Sequence, residues 1–263
     1  MLPAGEEFEG YVVDATLGQG GYATVYRAHR AASPDRAVAL KVLDGHHRRE
    51  DQTARLRREF EFAHRLHHPH VVTVYEYGLV WLTMELLDGG TVTTLVEKGD
   101  RLAALAQIGD ALDYAHRCGI VHCDVKPSNI LVSQDFSRAV LIDFGVAHAV
   151  AQTFGRRPTH LEASLPYTAP ELLHGRPPSS RTDEYALACT AVELLIGAPP
   201  FSADTPMELV DAHLSQPVPG YSREIAWVPR VFDSVLGRAL AKIPESRYDS
   251  CSEFVAQLAR ALG

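Results

Sequence analysis

The hydrophobic pattern of this chain changes its period once, near Asp88, and few folds accommodate such a change. Before that point, short apolar runs alternate with turn residues. Residues 11–17 and 24–29 read as strands on either side of a glycine-rich turn, which predicts a hairpin. Residues 37–43 form a short apolar run ending around Lys41. A polar, charged helix over 51–65 follows, with Leu56, Phe60, Ala63 and Leu66 at helical spacing. Residues 71–77 and 79–86 predict two more strands joined tightly at Gly78. Beyond Asp88 the pattern is helical. Residues 102–118 read as a helix with Gly119 as its C-cap, and residues 182–196, 205–214, 230–241 and 250–262 as further helices. Only short apolar pieces, 120–121, 130–132 and 140–142, interrupt them. The expectation is an α+β chain of two unequal lobes, 1–87 rich in strand and 88–263 rich in helix, with a hinge over residues 85–88.

Composition narrows the function classes. A chain of 263 residues with 46% hydrophobic content suits a packed core shared by two lobes and argues against disorder. The formal net charge is −8 and no run of Lys and Arg offsets it, so a nucleic-acid footprint is not expected. Cys118, Cys123, Cys189 and Cys251 form no CxxC pair, which suggests neither a zinc site nor a disulfide framework. Sparse cysteines fit a reducing, cytoplasmic setting. The acidic N-terminal residues do not read as a signal peptide, and the most apolar stretch, 186–196, is too short to cross a bilayer and carries Glu193. No membrane contact is expected within this chain.

Four segments carry chemistry. In Gly18-Gln19-Gly20-Gly21-Tyr22-Ala23-Thr24-Val25, glycines between two strands let the backbone approach a phosphate closely. Taken alone, a plain hairpin turn reads equally well. A dinucleotide-binding fingerprint is disfavoured, because a strand follows rather than a helix. Lys41, in Val38-Ala39-Leu40-Lys41, ends an apolar strand and needs a negative partner. A phosphate and a carboxylate of the next helix both fit, with Glu59 and Glu61 as candidates; a lysine snorkelling from an edge strand is the plainer alternative. His122-Cys123-Asp124-Val125-Lys126-Pro127-Ser128-Asn129 places a carboxylate, an ammonium and an amide close together. These can accept a hydroxyl proton, stabilise a transferring phosphoryl group and bind a metal. Asp143-Phe144-Gly145 puts a carboxylate at a strand end, where it can hold magnesium.

In this order, and with this spacing, the segments resemble a Hanks-type, eukaryotic-like serine/threonine protein kinase of bacterial style. Ala169-Pro170-Glu171, Asp183-Glu184-Tyr185, Gly197-Ala198-Pro199-Pro200-Phe201 and Arg247 in Pro244-Glu245-Ser246-Arg247-Tyr248 extend the match from about residue 10 to about residue 262. The resemblance implies a bilobal protein-kinase fold, ATP as phosphoryl donor, Mg2+ (magnesium) with Mn2+ as a substitute, and protein substrates with Ser/Thr acceptors. A homodimer is compatible with it. It further implies that Lys41 holds the α- and β-phosphates and pairs with Glu59, with Glu61 as fallback. Gly18 and Gly20 lie over the phosphates. Asp124 orients the substrate hydroxyl and accepts its proton, and Lys126 touches the γ-phosphate. Asn129 and Asp143 hold the metal. Val25, Ala39 and Leu131 sandwich the adenine, Met84 is the gatekeeper, and backbone groups from Glu85 to Leu87 bind the adenine edge. Arg247 pairs with Glu171.

Departures from the family pattern matter as much. Ala23 stands for the third glycine, Ser164 for a threonine whose hydroxyl bridges to Asp124 and Lys126, and the connection at Gly78 is short. Cys123 occupies the place of an arginine that normally pairs with a phosphorylated activation-loop residue. A thiol cannot do so, and the expectation is activity that does not depend on phosphorylation of Thr153 or Thr159. A redox role for Cys123 is disfavoured by the adjacent Asp124. His64, His67, His68 and His70 lie around a helix end, with His46 and His47 upstream, which reads as a solvated helix rather than a metal site. The rival functions are a pseudokinase scaffold or nucleotide switch, and a small-molecule phosphotransferase. The first is weighed down by the full set of site residues, the second by the presence of Glu171 and Arg247.

Overall fold

Alternation in one strand decides which groups face the interior. In β4 (Ser33–Leu43), Val38, Leu40 and Val42 point to one face of a sheet and Ala39, Lys41 and Leu43 to the other. The first set joins Tyr11, Val13, Tyr26, Ala28 and Trp81 in a small outer cluster, while Ala39 and Leu43 belong to the main core. The structure, a computed structural model, describes residues 1–45, 50–149 and 162–263.

The sheet is antiparallel, in the order β1-β2-β3-β4-β6-β5. Its other strands are β1 (Glu7–Phe8), β2 (Tyr11–Gln19), β3 (Ala23–Arg30), β5 (Val74–Tyr77) and β6 (Trp81–Met84). Helix α1 (Glu50–Arg65) packs against it by a stripe that includes Leu56, Glu59 and Ala63. Gly78 closes the β5–β6 turn, and a Cβ there would lie 2.2 Å from Trp81 Nε1, so only glycine lets the indole fold over the turn.

The second part is helical. Its long elements are α2 (Lys98–Arg117), α4 (Ser180–Ile196), α5 (Pro206–Ser215), α6 (Arg230–Ala239) and α7 (Cys251–Leu262), with a single turn α3 (Pro170–Leu173). Helix α4 is buried on every side, as its even apolar composition requires. Helix α2 packs on α4 and α7, and α7 on α6. Fully buried Leu105, Ile108, Leu187, Phe232 and Phe254 each contribute about 1.5–3 kcal/mol. Two small ribbons sit between the parts: β7 (Ile120–Val121) with β10 (His148–Ala149), and β8 (Ile130–Val132) with β9 (Ala139–Leu141). Arg247 is 1% exposed and meets Glu171 through two parallel bonds of 2.9 Å, with Ala241 O and Arg181 O taking further protons at 2.8 Å. Such a fork is how a buried charge survives.

The α+β reading therefore holds, with differences at element ends. The strand expected over 71–77 begins only at Val74. Val72 donates to Leu141 O and Val71 bridges to Leu141, so these apolar residues serve the β8–β9 ribbon instead of the sheet. The strand expected over 79–86 is shorter, with Leu79 exposed beyond the ladder. Helix α2 starts four residues earlier than its apolar periodicity shows, because polar Arg101 anchors that turn to Leu95 O and Leu194 O. The apolar piece at 140–142 is displaced by one residue, as Ile142 leaves the ribbon to donate to Asn129 O.

Buried His213 makes this core pH-sensitive. It shares a 2.8 Å hydrogen bond with Tyr185 and lies edge-on to Phe201, and burial, aided by Lys242, pushes its imidazole down to about 4. An unfolded histidine takes up its proton near 6.5. Stability from this group is thus complete above that pH and lost as pH falls from 6.5 towards 4. Glu184, pushed up to about 8 by burial, works with the opposite sign. The difference between wild type and His213→Gln isolates the histidine. Urea unfolding at stepped pH should show the wild type losing up to about 3 kcal/mol relative to the variant across that window.

Candidate active site

The site is built where the sheet meets the ribbons. On β4 the Lys41 side chain, on the inner face, reaches α1, and its Nζ lies 2.8 and 2.7 Å from the two oxygens of Glu59. Glu61 is two residues off the buried stripe and pairs with Arg57 at the surface, 2.7 Å away. The choice between the two carboxylates follows from helix phase. Lys41 Nζ is also 3.8 Å from Asp143 Oδ1. Burial opposes the lysine's charge, but Asp143 and Glu59 outweigh it and push the ammonium's pKa up. Burial pushes the Glu59 carboxyl up to about 7 against the pull of Lys41, while Asp143, despite its burial, is drawn down to about 2 by Lys41 and Arg55. One cation is thus shared by two carboxylates, with Glu59 in direct contact and Asp143 farther off at 3.8 Å.

Asp183, at the start of α4, organises the segment 122–129. Its Oδ2 accepts the N–H of His122 at 2.8 Å and meets His116 Nε2 at 2.7 Å; its Oδ1 accepts the N–H of Cys123 at 2.8 Å. Cys123 is held at φ 65°, a left-handed conformation unusual for a side-chain-bearing residue. The chain then turns Asp124 inward. Its carboxylate receives Lys126 Nζ at 3.0 and 2.9 Å, Ser164 Oγ at 2.6 Å and Asn129 Nδ2 at 3.0 Å. Lys126 also donates to Ser164 Oγ at 2.8 Å, so the serine hydroxyl sits between ammonium and carboxylate. Asn129 Nδ2 donates to Asp124 O as well, at 2.8 Å. Its amide nitrogen is thereby committed and its amide oxygen is left for other work.

Asp143 lies beyond β9, at φ 63°, and accepts the N–H of Gly145. Phe144 is fully buried, edge-on to His122 at 4.7 Å between ring centres. With Lys41 on Glu59 and Phe144 inside, all four sequence segments converge. Val25 stands opposite Lys41 in the β3–β4 register, and Ala39 opposite Met84 in β4–β6, so these four share the inner face of the sheet. Leu131, on β8, pairs with Val140. Gly18 and Gly20 close the β2–β3 hairpin, where Gly20 N–H donates to Ala23 O at 2.8 Å. Glu85 to Leu87 continue directly from β6.

Burial pushes the pKa of the half-buried Cys123 thiol well up, and Asp183, Asp124 and Glu171 add to it, which disfavours the reactive thiolate. Of the histidines, His46 and His47 lie outside the described residues, as do Thr153 and Thr159. His68 meets Asp110 and stacks on Tyr114, His70 bonds Ala139 O, and His64 stacks on Phe60. Asp113, His116 and Cys251 bring ligand atoms within 4.8 Å of one another, but Asp113 caps α7 through the N–H groups of Cys251 and Ser252, and His116 serves Asp183.

Two residues beside Lys41 and Asp143 escaped the sequence reading. Arg55 Nη2 lies 3.5 Å from Asp143 Oδ2, and its guanidinium stacks over Tyr22, 4.5 Å from the ring centre. Lys41 Nζ sits 5.4 Å from the same ring. Burial pushes the Tyr22 phenol up to about 12. Arg55 precedes Glu59 by four residues, so its place on the same helix face was available from spacing alone.

Comparison with known proteins fits this geometry. A family described as protein kinase domain matches residues 11–260. The chain belongs to the protein kinase domain family. Serine/threonine-protein kinase PknJ of Mycobacterium tuberculosis is 37% identical over 276 residues, covering 99% of this chain and 47% of the relative. Serine/threonine-protein kinase PknF of the same organism is 37% identical over 284 residues, covering 100% of this chain and 58% of the relative. The chain thus spans about half the length of the curated relatives it matches. The crystal structure of the Mycobacterium tuberculosis PknI kinase domain superposes with a TM-score of 0.76 at 33% identity, covering 100% of both chains. This is a Hanks-type kinase domain of bacterial style, with a β-sheet N-lobe and a helical C-lobe. Among the described residues no helix is long and apolar enough to cross a membrane.

In this kinase domain Gly145 makes room for Arg55. A Cβ there would lie 2.8 Å from Arg55 Nε and 2.9 Å from its Cγ. Gly145→Ala should therefore cost about 1–3 kcal/mol in urea unfolding, the usual range for overpacking, and Arg55→Ala in the same chain should recover most of it.

Proposed function

We propose that this kinase domain transfers the γ-phosphoryl group of ATP to serine and threonine hydroxyls of protein substrates, and that it does so without phosphorylation of its own activation loop. The observation that carries this reading is the Ser164 hydroxyl, held 2.6 Å from Asp124 and 2.8 Å from Lys126. A carboxylate and an ammonium that grip a hydroxyl between them have the chemistry to orient an acceptor hydroxyl and neutralise charge beside it.

In this mechanism Asp124 accepts the acceptor's proton as the acceptor oxygen bonds to the γ-phosphorus and the bond from that phosphorus to the β–γ bridging oxygen breaks, releasing ADP. Lys126 faces the γ-phosphate and Lys41, held by Glu59, the α- and β-phosphates. Gly18 and Gly20 bring backbone over the phosphates. Val25, Ala39 and Leu131 cover the adenine faces, Met84 closes the pocket behind it, and the backbone from Glu85 to Leu87 binds its edge. The Asp143 carboxylate and the Asn129 amide oxygen form a hard oxygen donor set that fits Mg2+, with Mn2+ as a substitute. When bound, the metal would neutralise phosphate charge and align the leaving group. Catalysis here is positioning and charge neutralisation.

Independence from loop phosphorylation is supported by Cys123. The thiol offers no cation for a phosphate, yet Asp183 holds the segment's backbone and Lys41 already meets Glu59. The sparse cysteines support a cytoplasmic place for the domain.

Transfer from γ-labelled ATP to a generic protein substrate tests the reaction. Asp124→Asn should lower kcat about 100- to 10,000-fold, as loss of a general base does. Equal signals from wild type and variant would leave the scaffold reading in its place. Replacing Thr153 and Thr159 together by Ala should cost less than about tenfold; a larger loss, more than about 1.4 kcal/mol of barrier, overturns the loop claim.

A further inference from the structure

One side chain of the C-lobe holds the first residue after β6. Arg138 stands in the turn before β9. Its Nη1 donates to Glu85 Oε2 at 2.7 Å and its Nη2 to Glu85 Oε1 at 3.1 Å, while its Nε donates to Pro69 O at 2.6 Å. The same carboxylate accepts the N–H of Thr73 at 2.8 Å, and the Glu85 N–H donates to Thr73 O at 2.8 Å. Three chain segments of the N-lobe, at residues 69, 73 and 85, are thus tied to one guanidinium. The Glu85 side chain is 13% exposed and that of Arg138 34%, which makes this a partly shielded, bidentate pair rather than a surface contact.

Arg138 itself stands on a braced turn. Ser133 N–H donates to Arg138 O and Ser133 Oγ accepts the Arg138 N–H, while Asp135 gathers both serine hydroxyls of the turn. Gln107 on α2 grips the far side, donating to Ser137 O at 3.0 Å and accepting from Ala139 N–H at 2.6 Å. Behind the turn, β9 carries Val140, which pairs with Leu131 on β8. A rigid path therefore runs from helix α2 through Arg138 to Glu85, and the same hairpin carries Leu131.

We propose that Arg138 is a positioning residue for the nucleobase: it fixes the spacing between the backbone at 85–87 and the β8–β9 hairpin, and so sets affinity for adenine without touching it. The proposal rests on the nucleotide site described under Proposed function. A planar base needs its edge contacts and its face contact at one fixed separation, and a preorganised gap spares the cost of ordering on binding. Without the guanidinium, the Glu85 carboxylate keeps one backbone donor and is drawn towards water, taking the hinge with it.

The test compares wild type, Arg138→Ala and Arg138→Lys, each shown to be folded by its unfolding midpoint. Calorimetry in magnesium buffer gives Kd for ATP and for inorganic tripolyphosphate, and steady-state assays give KM for ATP and kcat. Arg138→Ala should weaken ATP binding and raise its KM at least fivefold, with tripolyphosphate affinity and kcat at saturating ATP within twofold of wild type. Arg138→Lys, which keeps the charge but not the fork, should recover part of the loss. ATP affinity unchanged in Arg138→Ala, or equal weakening towards ATP and tripolyphosphate, overturns the proposal, the second because it reports general loosening. If Arg138→Ala does not fold, Arg138→Lys carries the test by the same two comparisons. Wild type that binds no ATP at all would instead overturn the nucleotide reading beneath it.

Discussion

The arrangement of this domain hangs on one buried carboxylate. Asp183 is fully buried, which would be costly for an unpaired anion, yet its oxygens receive the N–H groups of His122 and Cys123 and the ring nitrogen of His116. Because α4 is packed on all sides, Asp183 cannot move without the core, and the segment it grips is fixed to that core. Two of its three bonds go to backbone. The identity of residue 123 is therefore free of this task, and a cysteine can stand there while Asp124 still turns towards Lys126, Ser164 and Asn129.

The N-lobe meets this fixed point through a second pairing. The β4 alternation sends Lys41 inward, the phase of α1 sends Glu59 to meet it, and Asp143 shares the same ammonium. Each contact alone could be made in several ways. Together they demand one placement of sheet, helix and ribbon, since Asp143 is held from the C-lobe side by the β8–β9 ribbon and Glu59 from the N-lobe side. Arg58, donating to Gly145 O at 3.4 Å, and Arg55, beside Asp143, extend that link along the same helix.

Much of this was legible in the sequence, and the parts that were not share a cause. The period change near Asp88 and the segments around Lys41, Asp124 and Asp143 are local patterns, and they lead to a strand-rich and a helix-rich part and to side chains that the structure brings together. Two-residue strands β1 and β10 carry no periodicity of their own and exist only through their partners. Val71 and Val72 have the composition of a strand, but their hydrogen bonds go to the ribbon. Arg138 lies 53 residues from Glu85, in a turn rich in Ser and Asp where an arginine reads as solvent-exposed. A long-range pair between a hinge and a turn leaves no mark on either local pattern.

Charge balance links the cluster to its chemistry. Lys41, Arg55 and Lys126 face Glu59, Asp143 and Asp124, three cations against three carboxylates, with the pairs at 2.7 to 3.8 Å. Such a set is close to neutral as it stands, which lets it persist in a shielded site. A polyphosphate brings several negative charges into that balance, and no cation in the set is free to be added. Lys41 and Arg55 can neutralise phosphate only by giving up part of their hold on Asp143. In the proposed reaction the carboxylate so released, with the amide oxygen of Asn129, would take a divalent cation, whose charge makes up the deficit. On that proposal, the ion pairs that link the lobes would also set the need for a metal in phosphoryl transfer.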